Sequence, residues 1–146
     1  MKIAIGSDHA GYLLKEKVKK FLKNKEIPFT DFGTFKEEAV DYPEYAYKVG
    51  NAIISNEADM GILVCGTGIG MCITANKIKG IRAANPCDKV SAELSRLHNN
   101  SNVLCLGART LTDEQVIEVL VTWLFTSFEG GRHEQRLNLI NKLTGL

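Results

Sequence analysis

The chain has 146 residues, 45% of them apolar and 24% charged, with a net charge of +1. That length suits one domain, residues 1–146, with a real core, and the near-neutral charge gives no electrostatic case for a nucleic-acid or membrane partner. No apolar run approaches the ~20 residues of a membrane span, and the opening Met1–Asp8 stretch turns polar too soon for a signal peptide, so a cytoplasmic protein is expected.

Short apolar runs alternate with helical periodicity along the chain. Lys2–Gly6 reads as a strand. Gly11–Lys25 reads as a helix with Leu14, Val18, Phe21 and Leu22 on one face and its lysines on the other. Pro28–Phe32 is a second strand, and Tyr45–Ser55 a helix turning Ala46, Val49, Ile53 and Ile54 inward. Met60–Cys65 is a third strand, leading through a Gly-rich turn into a helix over Met71–Ile78. Gly80–Ala84, Lys89–His98 and Asn102–Leu106 read as strand, helix and strand. Thr112, with Gln115 three residues on, has the pattern of a capping box opening a helix that buries Val116, Val119, Leu120, Trp123 and Leu124. A last helix follows Gly130-Gly131 and runs to about Leu143. Strands alternating with helices imply a Rossmann-like α/β sandwich of three layers around a five-stranded parallel sheet. Ligands of such folds bind at the carboxyl ends of the strands.

The strand-end loops hold the polar and Gly-rich residues such a site would need. Cys65-Gly66-Thr67-Gly68-Ile69-Gly70 stands out, because backbone N–H groups converge where a strand turns into a helix and a thiol lies at its edge. A nucleotide does not fit. The turn after the first strand, Gly6-Ser7-Asp8-His9-Ala10-Gly11, lacks G-x-G-x-x-G, Met71 stands where the third turn would need its last glycine, and there is no P-loop. Asp8 reads equally as an N-cap for the first helix or as a hydroxyl contact. The histidines His9, His98 and His133 share no ligand spacing, so no metal is expected. Of the 18 Lys and Arg residues only Arg82, Arg96, Arg109, Arg132 and Arg136 are arginines, the better residue for bidentate phosphate contact. Cys72, Cys87 and Cys105 read as small buried apolar residues in a reducing compartment.

The ordered set Gly6–Gly11, Asp41-Tyr42-Pro43, Cys65–Gly70, Asn76-Lys77, Gly80–Ala83, His98-Asn99, Asn102–Leu104 and Gly130–His133 resembles the ribose-5-phosphate isomerase B family, which includes allose- and galactose-6-phosphate isomerases. The resemblance covers essentially the whole chain. It implies an aldose–ketose isomerase of the pentose phosphate pathway that works through a cis-enediolate without cofactor or metal. In this family the position of Cys65 is the general base and Thr67 assists it. The N–H groups of Gly66, Gly68, Ile69 and Gly70 form an anion hole, and His98 opens the furanose ring. Asp8, His9, Tyr42 and Asn99 match substrate contacts, and His9, Arg109, Arg132 and Arg136 the phosphate set. None of the phosphate residues lies between the third strand and its helix, so the phosphate and reacting ends can be separate. The family also implies homodimers with shared active sites, built with the C-terminal helix; whether dimers pair into tetramers the sequence leaves open. Asn85-Pro86-Cys87-Asp88 departs from the family pattern and bears on substrate size. A six-carbon sugar-phosphate isomerase, a non-catalytic sugar-phosphate binder and a flavodoxin-like nucleotide binder are the alternatives. His98 favours a self-sufficient homodimer acting on ribose 5-phosphate.

Overall fold

The computed structural model describes residues 1–146. The chain runs β1 (Ile3–Ser7), α1 (Tyr12–Asn24), β2 (Phe29–Asp31), α2 (Tyr42–Ile54), β3 (Met60–Cys65), α3 (Ile69–Ala75), β4 (Ala83–Ala84), α4 (Lys89–Leu97), β5 (Val103–Gly107), α5 (Asp113–Phe125) and α6 (Arg132–Thr144). All five strands are parallel, in the order β2-β1-β3-β5-β4. The expected three-layer α/β fold is therefore present.

Strand alternation sorts the core into two halves. Ile3, Ile5, Met60, Ile62, Val64, Leu104 and Leu106 pack with Leu14, Val18 and Leu22 of α1, Ala92 of α4, and Val116, Val119, Leu120, Trp123 and Leu124 of α5. Ala4, Leu63, Cys65, Val103 and Cys105 point the other way, onto α2 and α3. Trp123 is fully buried, and its indole N–H donates to Ser101 Oγ at 2.8 Å, so its polar atom is satisfied. The Thr112–Gln115 capping box forms in both directions. Asp88 and Ser91 build a second one on α4, which the sequence reading passed over.

Several boundaries and burials differ from expectation. Helix α2 starts at Tyr42, because Pro43 in a first turn lacks only an N–H that the helix would leave unbonded anyway. Helix α3 starts at Ile69, which brings Ile69 and Gly70 into its first turn. Strand β4 is only two residues, and its open edge is taken by the Asn76 side chain, which accepts from Ala83 N–H and donates to Ala83 C=O, both at 2.9 Å. Ile54 is exposed where an inward residue was expected, its place taken by Gly50 and Ala52. Lys15 is not on the solvent face of α1 but buried beside Leu14 and Val18, where Asp31 neutralises it. Cys105 is buried as expected, but Cys72 is only half-buried and Cys87 is exposed.

Candidate active site

Strands β1 and β3 are neighbours whose helices leave in opposite directions, the switch point at which open α/β sheets form a crevice. Ser7 pairs with Val64, and Cys65 with Gly107. The loops after β1, β3 and β5 thus emerge side by side, carrying Asp8 and His9, Cys65–Gly70, and Arg109. The approach is close: a Cβ on Gly11 would meet the Val64 carbonyl oxygen at 2.3 Å, and one on Gly107 the Thr67 carbonyl oxygen at 2.6 Å. Ala108 and Arg109 N–H groups donate to the Cys65 and Gly66 carbonyls, which locks the β5 loop to the Cys65 turn.

Within that crevice the sulfur of Cys65, 5% exposed, accepts the Gly68 N–H at 3.1 Å. Gly68 has φ +79°, the left-handed conformation that points its N–H back at the sulfur and costs little only for glycine. Ile69 N–H is taken by Thr67 Oγ1 at 3.3 Å. Two of the four expected anion-hole donors are thus committed within the turn. Gly66, Gly70 and Met71 N–H have no protein partner, so Met71, read from the sequence as a helix start and not as a donor, joins Gly66 and Gly70 as an available donor. The Tyr42 ring lies against Gly70, and the Arg109 guanidinium lies over Gly66.

Asp8 is not the N-cap of α1, a position that Gly11 holds, but its Oδ1 accepts Gly11 N–H at 2.9 Å and orders the turn into the helix beside the crevice. His9 Nδ1 accepts the Val40 N–H at 3.2 Å, which fixes the ring and leaves Nε2 for a ligand. Asn85, noted in the sequence only as part of a loop that bears on substrate size, is a supporting residue of the Cys65 turn. Its amide donates to the Cys105 carbonyl at 2.9 Å, and its Nδ2 stands 2.3 Å from where a Gly68 Cβ would lie, so it backs the Cys65 turn. The signal available was its place at the carboxyl end of β4. Cys72, behind the turn, is drawn down to about 7 by a hydrogen bond with the Cys105 thiol and by Asn76, against burial; Cys105 is pushed well up, chiefly by burial.

The remaining predicted residues lie elsewhere. Helix α4 runs back from the carboxyl edge, so His98 at its end and Asn99 sit at the amino edge of the sheet, before β5 begins. Glu129 N–H donates to the Leu97 carbonyl, which brings the start of α6 to the same edge. There His98 and His133 stack, ring centroids 4.1 Å apart and planes 6° from parallel. Glu129 Oε2 lies 3.8 Å from His98 Nε2 and 3.6 Å from His133 Nε2. Arg132 Nε is 3.5 Å from His133 Nε2, and Arg136 is one turn further along α6. Burial and the neighbouring His98 pull the His133 pKa below its ordinary value, with Glu129 opposing and Arg132 and Arg136 adding to the fall.

Sequence spacing gave no metal group, yet the fold gathers His98, Glu129 and His133 with their ligand atoms within 4.8 Å of one another. Their geometry does not suit an ion. Stacked rings aim their lone pairs in parallel rather than converging, and Arg132 already offers a cation to His133. Across the sheet, five residues of β5 separate the two edges, roughly 15 Å at strand rise.

Fold and crevice define the chain as an open parallel α/β protein with a candidate site at the β1–β3 switch point. It belongs to the ribose/galactose isomerase family, whose pattern matches residues 3–140. Ribose-5-P isomerase B of Listeria innocua is 48% identical over 143 residues, covering 98% of this chain and 97% of that one. The structure of Clostridium thermocellum ribose-5-phosphate isomerase B superposes with a TM-score of 0.98 at 46% identity, covering 99% of this chain and 98% of that one. Ribose-5-phosphate isomerase B of Mycoplasma genitalium, solved with bound ribulose-5-phosphate, gives a TM-score of 0.93 at 40% identity, covering 99% of this chain and 96% of that one.

Proposed function

We propose that this chain interconverts D-ribose 5-phosphate and D-ribulose 5-phosphate through a cis-enediolate, without a cofactor, with Cys65 as the general base. The observation that carries the reading is the Cys65 sulfur beside uncommitted Gly66, Gly70 and Met71 N–H groups at the switch point. The ribulose-5-phosphate bound to the Mycoplasma genitalium relative supports the choice of substrate.

The roles that the family resemblance implies give each of these residues a step. His98 gives a proton to the ring oxygen as the C1 hydroxyl loses one, opening the furanose to the aldehyde. Cys65, as thiolate, takes the C2 proton, and the electron pair passes to the C1 carbonyl oxygen. The resulting enediolate charge faces the free N–H groups; each such donor is worth about 3 kcal/mol in the transition state. The Cys65 thiol returns its proton to C1, and the O2 proton passes to O1 with the help of Thr67, leaving the ketone at C2. Asp8, Tyr42 and Asn99 hold the sugar, while His9, Arg109, Arg132 and Arg136 hold the phosphate.

A sugar phosphate is shorter than the depth of the sheet, so His98 and Cys65 of one chain do not meet on one ligand. This separation supports a homodimer in which each site combines the carboxyl edge of one copy with the amino edge of the other. Ile69 and Ile73 are exposed on α3 beside the Cys65 turn. A cavity of about 400 Å³, lined by Ile81, Leu137 and Ile140 among others, opens between α6 and the β4 edge beside Asn99. Apolar faces next to both half-sites are what such an interface would bury, and α6 is the helix that would build it. We read the whole chain as one sugar-phosphate isomerase domain of the cytoplasm; no helix is long and apolar enough to cross a membrane.

The test is a panel of ribose 5-phosphate, allose 6-phosphate and galactose 6-phosphate with purified protein. Preference for the pentose by kcat/KM is expected. A six-carbon preference would move the assignment to another branch of the family, and no turnover on any would overturn it.

A further inference from the structure

Lys15 has no part in the chemistry above, yet it is fully buried and densely bonded. Its Nζ donates to Asp31 Oδ1 at 2.7 Å and to the Thr34 carbonyl at 2.6 Å. The Phe35 ring lies over it at 5.1 Å and the Tyr12 ring at 5.8 Å. Asp31 is tied in turn: Oδ1 accepts Gly33 N–H at 2.9 Å, and Oδ2 meets Lys19 Nζ at 2.6 Å. Burial pulls the Lys15 pKa down, with Asp31 opposing. Burial alone would raise the Asp31 pKa, but Lys15, Lys19 and the Gly33 N–H together hold it below its ordinary value. A buried ion pair is weak evidence for stability, since desolvation offsets its attraction. A role in fixing geometry is the better explanation.

What the ammonium holds is the strap 33–41, which leads from β2 to α2. Thr34 N–H donates to the Ser7 carbonyl at 2.7 Å, and Ser7 N–H to the Gly33 carbonyl at 2.6 Å. Ser7 is followed directly by Asp8 and His9. At its other end the strap gives the Val40 N–H to His9 Nδ1, and it runs into Tyr42 at the start of α2. Asp8, His9 and Tyr42 are thus all reached from one segment, and Lys15 is the charge that closes its base.

We infer that Lys15 is a positioning residue: it pins the strap and thereby aims Asp8, His9 and Tyr42 at the sugar phosphate. This rests on the function proposed above. Lys15→Met keeps the stem and removes the charge. In that variant, hydrogen exchange over 33–41 is expected to quicken about tenfold while β3 and β5 peptides keep their rates. KM for ribose 5-phosphate is expected to rise about tenfold with kcat within about threefold, measured where circular dichroism reports full folding. A merely structural lysine would quicken exchange everywhere and lower turnover only with the folded fraction; that result overturns the inference. If Lys15→Met does not fold, Phe35→Ala decides, because it removes only the ring over the ammonium. Local quickening over 33–41 with KM raised about twofold supports the pin, and unchanged exchange overturns it. Should the wild-type protein fail to isomerise ribose 5-phosphate, the function falls, and strap exchange still judges the pin.

Discussion

The carboxyl and amino edges of the sheet hold two separate groups of polar residues, which the proposed function makes halves of one chemistry. At the carboxyl edge, Asp8, His9, Cys65–Gly70 and Arg109 come together through strand register and glycines that permit close approach. At the amino edge, His98, Glu129, His133 and Arg132 form a stacked, charged group that borrows nothing from the Cys65 turn. On the proposed function, one edge carries the base and oxyanion donors, and the other the ring-opening histidine and two of the phosphate-binding arginines. On that reading, a chain can fold with all the parts of a site and still need a second copy to assemble it.

The largest expected effect breaks the carboxyl edge. Cys65→Ala should lower kcat about 10³-fold with substrate binding retained, by steady-state kinetics and calorimetric titration; near-wild-type turnover would remove the base. Next, His98→Asn breaks the amino edge. It should slow ribose 5-phosphate more than an open-chain analogue, and equal slowing would remove the ring-opening role. Arginines sharpen the comparison from both sides. Arg109→Ala and Arg136→Ala should each raise KM about tenfold with smaller change in kcat, although they lie at opposite edges. If only one raises KM, the phosphate contacts a single edge.

The smallest effect concerns the His stack. Because the His133 pKa is depressed in the fold, the unfolded chain binds more protons, so the stability of the His133 environment is full above pH 6.5 and declines as pH falls below it. Melting temperature should therefore drop from pH 7 toward 5, and His133→Asn should flatten that part of the profile. A profile equally steep in the variant would assign the drop to other groups.

Much of the carboxyl edge was legible, because its residues lie in the turns that follow the strands of a βαβ pattern. Cys65, Gly66, Gly70, Asp8 and His9 need only strand ends and parallel pairing to meet. Gly68 and Ile69 were harder to judge, since a sequence does not tell which turn N–H groups are already bonded within the turn. Met71 was missed because the helix was started two residues late. The His98–Glu129–His133 group was not legible, as it depends on where the loop after α5 returns. Lys15 was misread for a different reason: on a helical wheel it sits at the border of the apolar stripe, and only Asp31 and Thr34, from another strand and its loop, draw it inside.

Sharing of sites between two copies is tested most directly by subunit exchange. Cys65→Ala and His98→Asn proteins, each impaired on ribose 5-phosphate, are unfolded and refolded together in equal amounts. If each site draws one edge from each copy, half of the dimers are mixed and each holds one intact site, so about a quarter of wild-type turnover should appear. Turnover no greater than the mean of the two parents would mean that Cys65 and His98 act from the same chain, and would contradict the account.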